Sequence, residues 1–260
     1  MDAFSLSVRD PVAGVRLVEI RNEARRNAVD GPALVALREE FLRAEAEGVR
    51  CVVLTGAGTK AFCAGYDLRA LAARDETQPL PDEELGRTLA VMERLRAPIL
   101  AALNGAAYGA GAELAAACDL RIAQPGVRLA MPPARLGIVY APAGLQRFVE
   151  LVGLSQAKRL FFTGDPVEAD EALAIGLVDE VAPEGGALSR ALELAARIAK
   201  NAPLAVQGMK RAFALMRRRE LPPAAHAEVE ALRRASYASE DFREGLRAAL
   251  ERREPVFLGR

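Results

Sequence analysis

Apolar residues occur in short runs along the first 180 residues. The segments between these runs repeat their apolar residues at helical spacing instead. Residues 14–20 alternate apolar and polar positions, as a half-buried strand does. Residues 49–55 and 98–103 are continuous apolar runs, which is the pattern of a strand buried on both faces. Further short strands are predicted at residues 119–123, 127–130 and 177–181.

Helical spacing of apolar residues fills the intervening segments and takes over after Pro183. Asp30 is placed to cap a helix whose apolar face is Leu34, Leu37, Phe41 and Ala44. Residues 67–78 start as a helix and become polar and irregular. Other helices are predicted at residues 83–96, 112–117, 142–152, 155–162, 168–174, 186–200, 203–219, 223–237 and 239–252. Strands alternate with helices first and helices follow alone, so we predict an α/β core over residues 1–200 and a C-terminal helical region over 201–260.

Composition and charge exclude several classes of protein. The 260 residues carry 35 Lys+Arg and 35 Asp+Glu, and this zero net charge gives no global field to hold nucleic acid or an anionic membrane. A single histidine, His226, leaves little room for Ser-His-Asp or zinc chemistry. Cys51, Cys63 and Cys118 form no CxxC pair, which disfavours metal and disulfide frameworks and suits a reducing cytosol.

Two further sequence features bear on location. The N-terminus, MDAFSLSVRD, lacks the basic and apolar regions of a signal peptide, so we expect a cytoplasmic protein. Residues 98–118 are long enough to span a bilayer, but they contain Asn104, Glu113 and several glycines. A buried strand, a Gly-rich turn and a small-residue helix explain this stretch better than a membrane span.

Two Gly-rich segments, residues 56–65 and 105–111, each follow a buried strand. Neither matches the dinucleotide or P-loop fingerprints, so NAD and nucleoside triphosphates are not supported. Glycines let backbone N–H groups converge on one point, and two such donors form an oxyanion hole. The alternative is that they are ordinary loop and packing glycines.

Four ordered motifs resemble the crotonase (enoyl-CoA hydratase/isomerase) family. They are LTGAGTKAFCAGYDL (54–68), AALNGAAYGAGAELAAACDLRIA (101–123), RLGIVYAPAGLQRF (135–148) and FFTGDPVEADEALAIGLVDEV (161–181). The resemblance spans about residues 5 to 260 and implies a spiral core of ββα units followed by an all-helical region. It also implies a coenzyme A thioester as substrate, with no prosthetic group and no metal.

The same resemblance implies a set of catalytic residues. The backbone N–H groups of Tyr66 and Ala110 would hold the thioester oxygen, and Glu113 matches the first of the two glutamates of hydratases. Pro133 occupies the position of the second glutamate, and proline cannot transfer a proton. Ala141 stands near the place of the extra aspartate of dienoyl isomerases.

One branch of the family lacks that second glutamate. The stretches MPPARLGIVY (131–140) and RRASYASEDFREGLRAALERREPVF (233–257) look like methylmalonyl-CoA decarboxylase, which pairs the retained glutamate with a tyrosine, here Tyr140. Its phenol would hold the departing carboxylate by donating a hydrogen bond. That branch carries histidine where this chain has Tyr66, which leaves the substrate open.

The resemblance also implies where coenzyme A binds and how the chain assembles. Arg25, Arg26 and Lys210 would meet its phosphates, although each also suits a solvated charge. An adenine-side wall is expected at Phe62, Ala64, Gly65 and Leu68. We interpret His226 as a surface or interface residue. The C-terminal helices would pack between subunits, so we expect a homotrimer or homohexamer.

Three functions therefore remain open from the sequence. The first is an acyl-CoA lyase that decarboxylates methylmalonyl-CoA or a similar 2-carboxyacyl-CoA. The second is an enoyl-CoA hydratase or isomerase of fatty-acid oxidation, which Pro133 disfavours. The third is a non-catalytic acyl-CoA or RNA binder, although the zero net charge argues against RNA.

Overall fold

The larger of two β-sheets forms the centre of the molecule. A computed structural model describes residues 4–75, 80–216, 227, 230–231, 234–235, 237–253 and 255–256. The strand order is β1-β2-β3-β5-β7-β10, and every neighbouring pair is parallel except β1 with β2. These strands are β1 (Ser5–Val12), β2 (Val15–Arg21), β3 (Cys51–Gly56), β5 (Ile99–Ala102), β7 (Leu120–Ala123) and β10 (Glu180–Val181).

A smaller sheet has the order β4-β6-β8-β9, in which β4, β6 and β8 are parallel and β9 is antiparallel to β8. Its strands are β4 (Ala61–Cys63), β6 (Ala106–Tyr108), β8 (Arg128–Ala130) and β9 (Val167–Glu168). Three times in succession the chain places one strand in the large sheet, one in the small sheet and then a helix. The predicted succession of ββα units is therefore confirmed.

Helices connect and cover the two sheets. They are α1 (Gly31–Ala46), α2 (Leu68–Ala72), α3 (Asp82–Arg94), α4 (Ala110–Ala117), α5 (Pro142–Thr163), α6 (Ala169–Ala174), α7 (Ala187–Lys200), α8 (Pro203–Met216) and α9 (Glu240–Glu251). Short 3-10 turns occupy Glu23–Arg25 and Pro133–Leu136. The Asp30 side chain accepts a hydrogen bond from the Ala33 N–H at 2.9 Å, which confirms the predicted cap of α1.

Both faces of the large sheet are buried. Successive side chains along a strand point to opposite faces, and each face packs against a different set of helices. One face, which includes Leu17, Val53 and Leu100, packs against an alanine stripe on α7. Those alanines recur every four residues and are fully or nearly fully buried, which lets the helix approach the sheet closely. The other face forms the main core with α1, α3, α4 and α5.

The structure corrects several predicted elements. Strand β1 was not predicted, and β4 and β6 lie in the two segments that were predicted as Gly-rich turns. Three-residue strands leave no measurable period in a sequence, since their partners supply the pairing. By contrast, the two helices predicted at 142–152 and 155–162 are confirmed, because Gly153 (φ +74°, ψ 160°) is not helical and divides α5 into two segments. Most of the helix predicted at 223–237 lies outside the described residues.

The stretch that suggested a membrane span folds as several short elements. Residues 98–118 contain the predicted buried strand (β5) and small-residue helix (α4), and the predicted Gly-rich turn between them includes β6. No helix in the described part of the chain is long and apolar enough to cross a membrane.

The three cysteines are free and buried, in agreement with the absence of a disulfide pattern in the sequence. Burial raises the pKa of each of the thiols of Cys51, Cys63 and Cys118 to about 12.

Candidate active site

A cavity of about 860 Å³ opens where the three parallel strands of the small sheet end. Residues that directly follow β4, β6 and β8 form one wall: Ala64, Gly65, Tyr66, Gly109, Ala110, Pro132 and Pro133. Ligand sites of parallel α/β sheets lie at the carboxyl ends of strands, and this placement follows that rule. Residues of α2, α3 and the C-terminal region, among them Leu71, Asp82 and Tyr237, also line the cavity.

The segments that carry the two predicted oxyanion donors approach each other closely at Gly65. Gly65 has φ +103°, and a Cβ built on it would lie 2.7 Å from the Tyr108 carbonyl oxygen and 3.6 Å from the Ala110 nitrogen. Hydrogen bonds on either side hold the first loop: the Val29 N–H donates to the Gly65 carbonyl and the Asp67 N–H to the Val29 carbonyl.

The N–H groups of Tyr66 and Ala110 have no acceptor among the described residues. Ala110 is the first residue of α4, where N–H groups have no partner within the helix and the helix dipole favours negative charge. Two unpaired amides beside one cavity can bind a developing oxyanion. The structure thus brings the two predicted donors to one wall.

Glu113 is buried, and it forms a hydrogen-bonded pair with the half-buried Tyr140. The Tyr140 hydroxyl donates a short hydrogen bond to Oε2 of Glu113, while the other carboxylate oxygen accepts one from Nη1 of Arg147 at 2.6 Å. Nη2 of Arg147 donates to Glu93 Oε1, also at 2.6 Å. Tyr140 lines the cavity, whereas Glu113 lies behind it and is not part of the wall.

The protonation of this chain of groups reflects burial and charge together. Burial raises the pKa of Glu113 and the Arg147 guanidinium opposes that rise. Burial, followed by the Glu113 charge, raises the pKa of Tyr140 well above its usual value. Burial alone would lower the pKa of Arg147, but the carboxylates of Glu113 and Glu93 outweigh it and raise the pKa. Tyr140 is therefore neutral and Arg147 is charged at neutral pH.

Pro133 is buried in the cavity wall, at the start of a 3-10 turn. A second glutamate at this position would face the substrate, and the proline leaves only an apolar surface there. Ala141 precedes α5 as its N-cap residue, without a side-chain hydrogen bond.

The residues predicted for coenzyme A separate into three groups. Ala64, Gly65 and Leu68 line the cavity as expected. Phe62 does not: its side chain is completely buried in the main core, because β4 turns it toward the large sheet. The expectation that Phe62 forms a ligand wall is therefore corrected.

The predicted basic residues lie apart from that wall. Arg25 makes a short ion pair with Asp67 and remains 44% exposed. Arg26 is exposed, and its left-handed backbone (φ +51°) lets its carbonyl accept the Ala64 N–H. Lys210 donates to Asp119 Oδ2 at 2.7 Å and to the Ala97 carbonyl at 3.0 Å, so its ammonium is engaged away from the cavity. His226 lies outside the described residues.

Several lining residues were not predicted. All four tyrosines of the chain line the cavity: Tyr66, Tyr108, Tyr140 and Tyr237. Asp82, at the start of α3, is the one carboxylate on the wall among the described residues, and its charge reaches both Glu113 and Tyr140. Arg135 and Arg253 are the cations of the described wall. The tyrosine content was visible in the sequence, but nothing in it placed these residues together.

Comparisons with known proteins agree with this geometry. The enoyl-CoA hydratase/isomerase family model matches residues 11–260. The putative enoyl-CoA hydratase/isomerase YngF of Bacillus subtilis is 42% identical over 213 residues, which are 81% of each chain.

Solved structures superpose over nearly the whole chain. Methylmalonyl-CoA decarboxylase in complex with 2-nitronate-propionyl-CoA has a TM-score of 0.91 at 27% identity, covering 99% of this chain and 100% of the other. Enoyl-CoA hydratase from Bacillus anthracis has a TM-score of 0.78 at 33% identity, covering 98% and 99%. The motifs, the ββα core and the paired amides agree with these matches, and the chain belongs to the enoyl-CoA hydratase/isomerase (crotonase) family, whose members act on coenzyme A thioesters.

Proposed function

We propose that this protein is an acyl-CoA lyase that removes CO₂ from methylmalonyl-CoA or a similar 2-carboxyacyl-CoA. The observation that carries the proposal is the wall of the cavity at Pro133, where hydratases of the family place a second glutamate. Glu113 is also covered by Tyr140 and bound by Arg147. The two-carboxylate arrangement that adds water across a double bond is therefore missing at these positions.

Decarboxylation suits the groups that are present. The bond between Cα and the carboxylate breaks, its electron pair enters the thioester as an enolate, and CO₂ leaves. The amides of Tyr66 and Ala110 hold the enolate oxygen, and one such donor contributes about 10²–10³ in rate. Water then supplies a proton to Cα, which gives propionyl-CoA from methylmalonyl-CoA. No base is needed, because no α-proton is removed.

The role of Tyr140 differs from the one expected from the sequence. Its hydroxyl proton is engaged by Glu113, so its oxygen presents lone pairs to the cavity instead of a donor. Pro133, Leu136 and Ile138 make the neighbouring wall apolar. A substrate carboxylate placed here is poorly solvated, which raises its free energy. Neutral CO₂ has no comparable solvation to give up, so the difference favours decarboxylation.

Hydration or isomerisation of an enoyl-CoA is the second candidate. It is supported by the name of the 42% identical relative and by Asp82, a carboxylate on the wall that could act as a displaced base. The proposed lyase does not require Asp82 as an acid or base, so the two candidates separate at this residue.

A mass-spectrometric panel of thioesters tests both candidates. We expect methylmalonyl-CoA or a related malonyl thioester to lose CO₂, and Gly65→Ala, which would separate the two amides, to abolish most of that turnover. Crotonyl-CoA should gain no water. Hydration of crotonyl-CoA that stops with Asp82→Asn or Glu113→Gln would establish the second candidate. If no malonyl thioester is decarboxylated, the proposal that the protein is a lyase is wrong. Binding of thioesters without turnover would then indicate a non-catalytic acyl-CoA binder.

A further inference from the structure

The buried guanidinium of Arg147 is the group behind the active site that none of the sequence motifs assigned. Its side chain is 5% exposed, as is that of Glu113, and it joins Glu113 to Glu93, which is 36% exposed. The result is a continuous chain of hydrogen bonds from the cavity to the protein surface through Tyr140, Glu113, Arg147 and Glu93.

The contacts of Arg147 are directed to the two carboxylates. Both terminal nitrogens donate to carboxylate oxygens, and its buried Nε has no partner among the described residues. A buried arginine that leaves one N–H unpaired loses free energy, and its two charge-assisted bonds offset that loss. Gly144, one turn earlier on α5, supports the same arrangement, because a Cβ there would lie 2.6 Å from the Tyr140 ring and 2.8 Å from Glu113 Oε1.

Charge decides the direction of the hydrogen bond between Tyr140 and Glu113. An ionised carboxylate only accepts, so the phenol must donate to it. A neutral carboxyl group would instead donate its own proton to the phenol oxygen, and the Tyr140 hydroxyl would then be free to donate into the cavity. We propose that Arg147 is a positioning residue that holds Glu113 ionised and thereby keeps the Tyr140 hydroxyl proton away from the substrate.

Other groups around Glu113 do not replace Arg147. Among the described residues, Arg147 is the one cation bonded to Glu113, and the remaining charges nearby are negative. The groups on neighbouring elements that act on Glu113 are Asp82 on α3, Arg147 on α5 and Tyr140 before α5, and Glu93 on α3 shares the Arg147 guanidinium. Removing Arg147 therefore leaves a buried carboxylate with acidic neighbours.

The direction in which each substitution shifts the pKa of Glu113 follows from these charges. Without Arg147 the pKa of Glu113 rises further, because burial and Asp82 act unopposed. With Glu93→Gln the pKa of Glu113 falls, because the guanidinium is no longer shared with a second carboxylate. The two variants thus shift the titration of one buried group in opposite directions, which a purely structural role for the ion pair would not produce.

Infrared titration of the carboxyl C=O band measures this directly and needs no substrate. The band of protonated Glu113 is identified by its loss in Glu113→Gln. We expect its midpoint to move up by about 1–3 pH units in Arg147→Gln, by less in Arg147→Lys, and down in Glu93→Gln. Arg159→Gln is the matched control, since Arg159 lies in the second helical segment of α5, beyond Gly153, and pairs with Glu171 at the surface.

Kinetics test the consequence for the substrate, and this arm rests on the proposed decarboxylation. In Arg147→Gln the freed Tyr140 proton stabilises the substrate carboxylate but not CO₂, so KM and kcat should both fall. The result that overturns the role of Arg147 is an unchanged midpoint in Arg147→Lys and Glu93→Gln, both of which keep the protein folded if Arg147→Gln does not. Shifted midpoints without any decarboxylation would refute the proposed function alone.

Discussion

Gly65 carries the backbone conformation on which both oxyanion donors depend. Its φ of +103° lies in a region that residues with a side chain rarely adopt, and its α-carbon lies against the Tyr108 carbonyl. Tyr66 follows it directly, and Tyr66 and Ala110 both line the cavity with N–H groups that have no acceptor among the described residues. The close approach at Gly65 therefore joins two segments that are more than forty residues apart.

Gly65→Ala should reduce turnover far more than stability. The new Cβ would lie 2.7 Å from the Tyr108 oxygen, so one of the two loops must move and separate the amides. We expect a stability loss of about 1–3 kcal/mol in thermal unfolding and a loss of about 10²-fold or more in kcat/KM. Gly126→Ala is the control, since Gly126 also has positive φ (+78°) with open space around it. Equal turnover by the two variants would contradict this role of Gly65.

Helix α4 is positioned by its contact with strand β4. A Cβ on Gly111 would lie 2.0 Å from the Cys63 carbonyl oxygen, so the absence of a side chain is what lets the helix lie directly on the strand. This contact fixes Ala110 at the helix N-terminus and Glu113 one turn further. Helix α4 thus places the N–H of Ala110 at the cavity and the carboxylate of Glu113 in the hydrogen-bonded chain behind the cavity.

Gly111→Ala should therefore destabilise the protein although alanine favours helix. Overpacking of this kind costs about 1–3 kcal/mol in the free energy of unfolding, measured by chemical denaturation. Gly86→Ala on α3 is the matched change, since Gly86 is exposed and nothing lies within 4 Å of its Cβ position. There we expect a gain of about 0.5–1 kcal/mol. Effects of the same sign at both glycines would show that the α4–β4 contact is not tight.

The surface of the whole molecule includes a group of exposed apolar side chains on helix α8. Leu204, Met209 and Phe213 are 85%, 54% and 65% exposed. Exposed apolar groups on one element indicate a surface that associates, and the C-terminal region was expected to pack between subunits. The structure of one chain leaves that surface open.

We expect light scattering to give a homotrimer or homohexamer, and Met209→Glu with Phe213→Glu to yield a smaller species. Two buried like charges on every subunit would oppose assembly. Circular dichroism of the double variant should show a folded protein, because both side chains are exposed within one chain. A wild-type monomer would contradict this prediction.

The sequence by itself determined the family, the strands of the large sheet after β1 and the motifs that contain Tyr66, Ala110 and Pro133, because these follow from local patterns. The strands β4 and β6 of the small sheet were not predicted. Tertiary structure alone decided that Phe62 lies in the core, that Glu113 lies behind Tyr140, and that Arg147 joins it to Glu93. These contacts link residues 27 to 54 positions apart. The direction in which a side chain points depends on how its helix or strand packs in the fold, and the local sequence does not determine that packing.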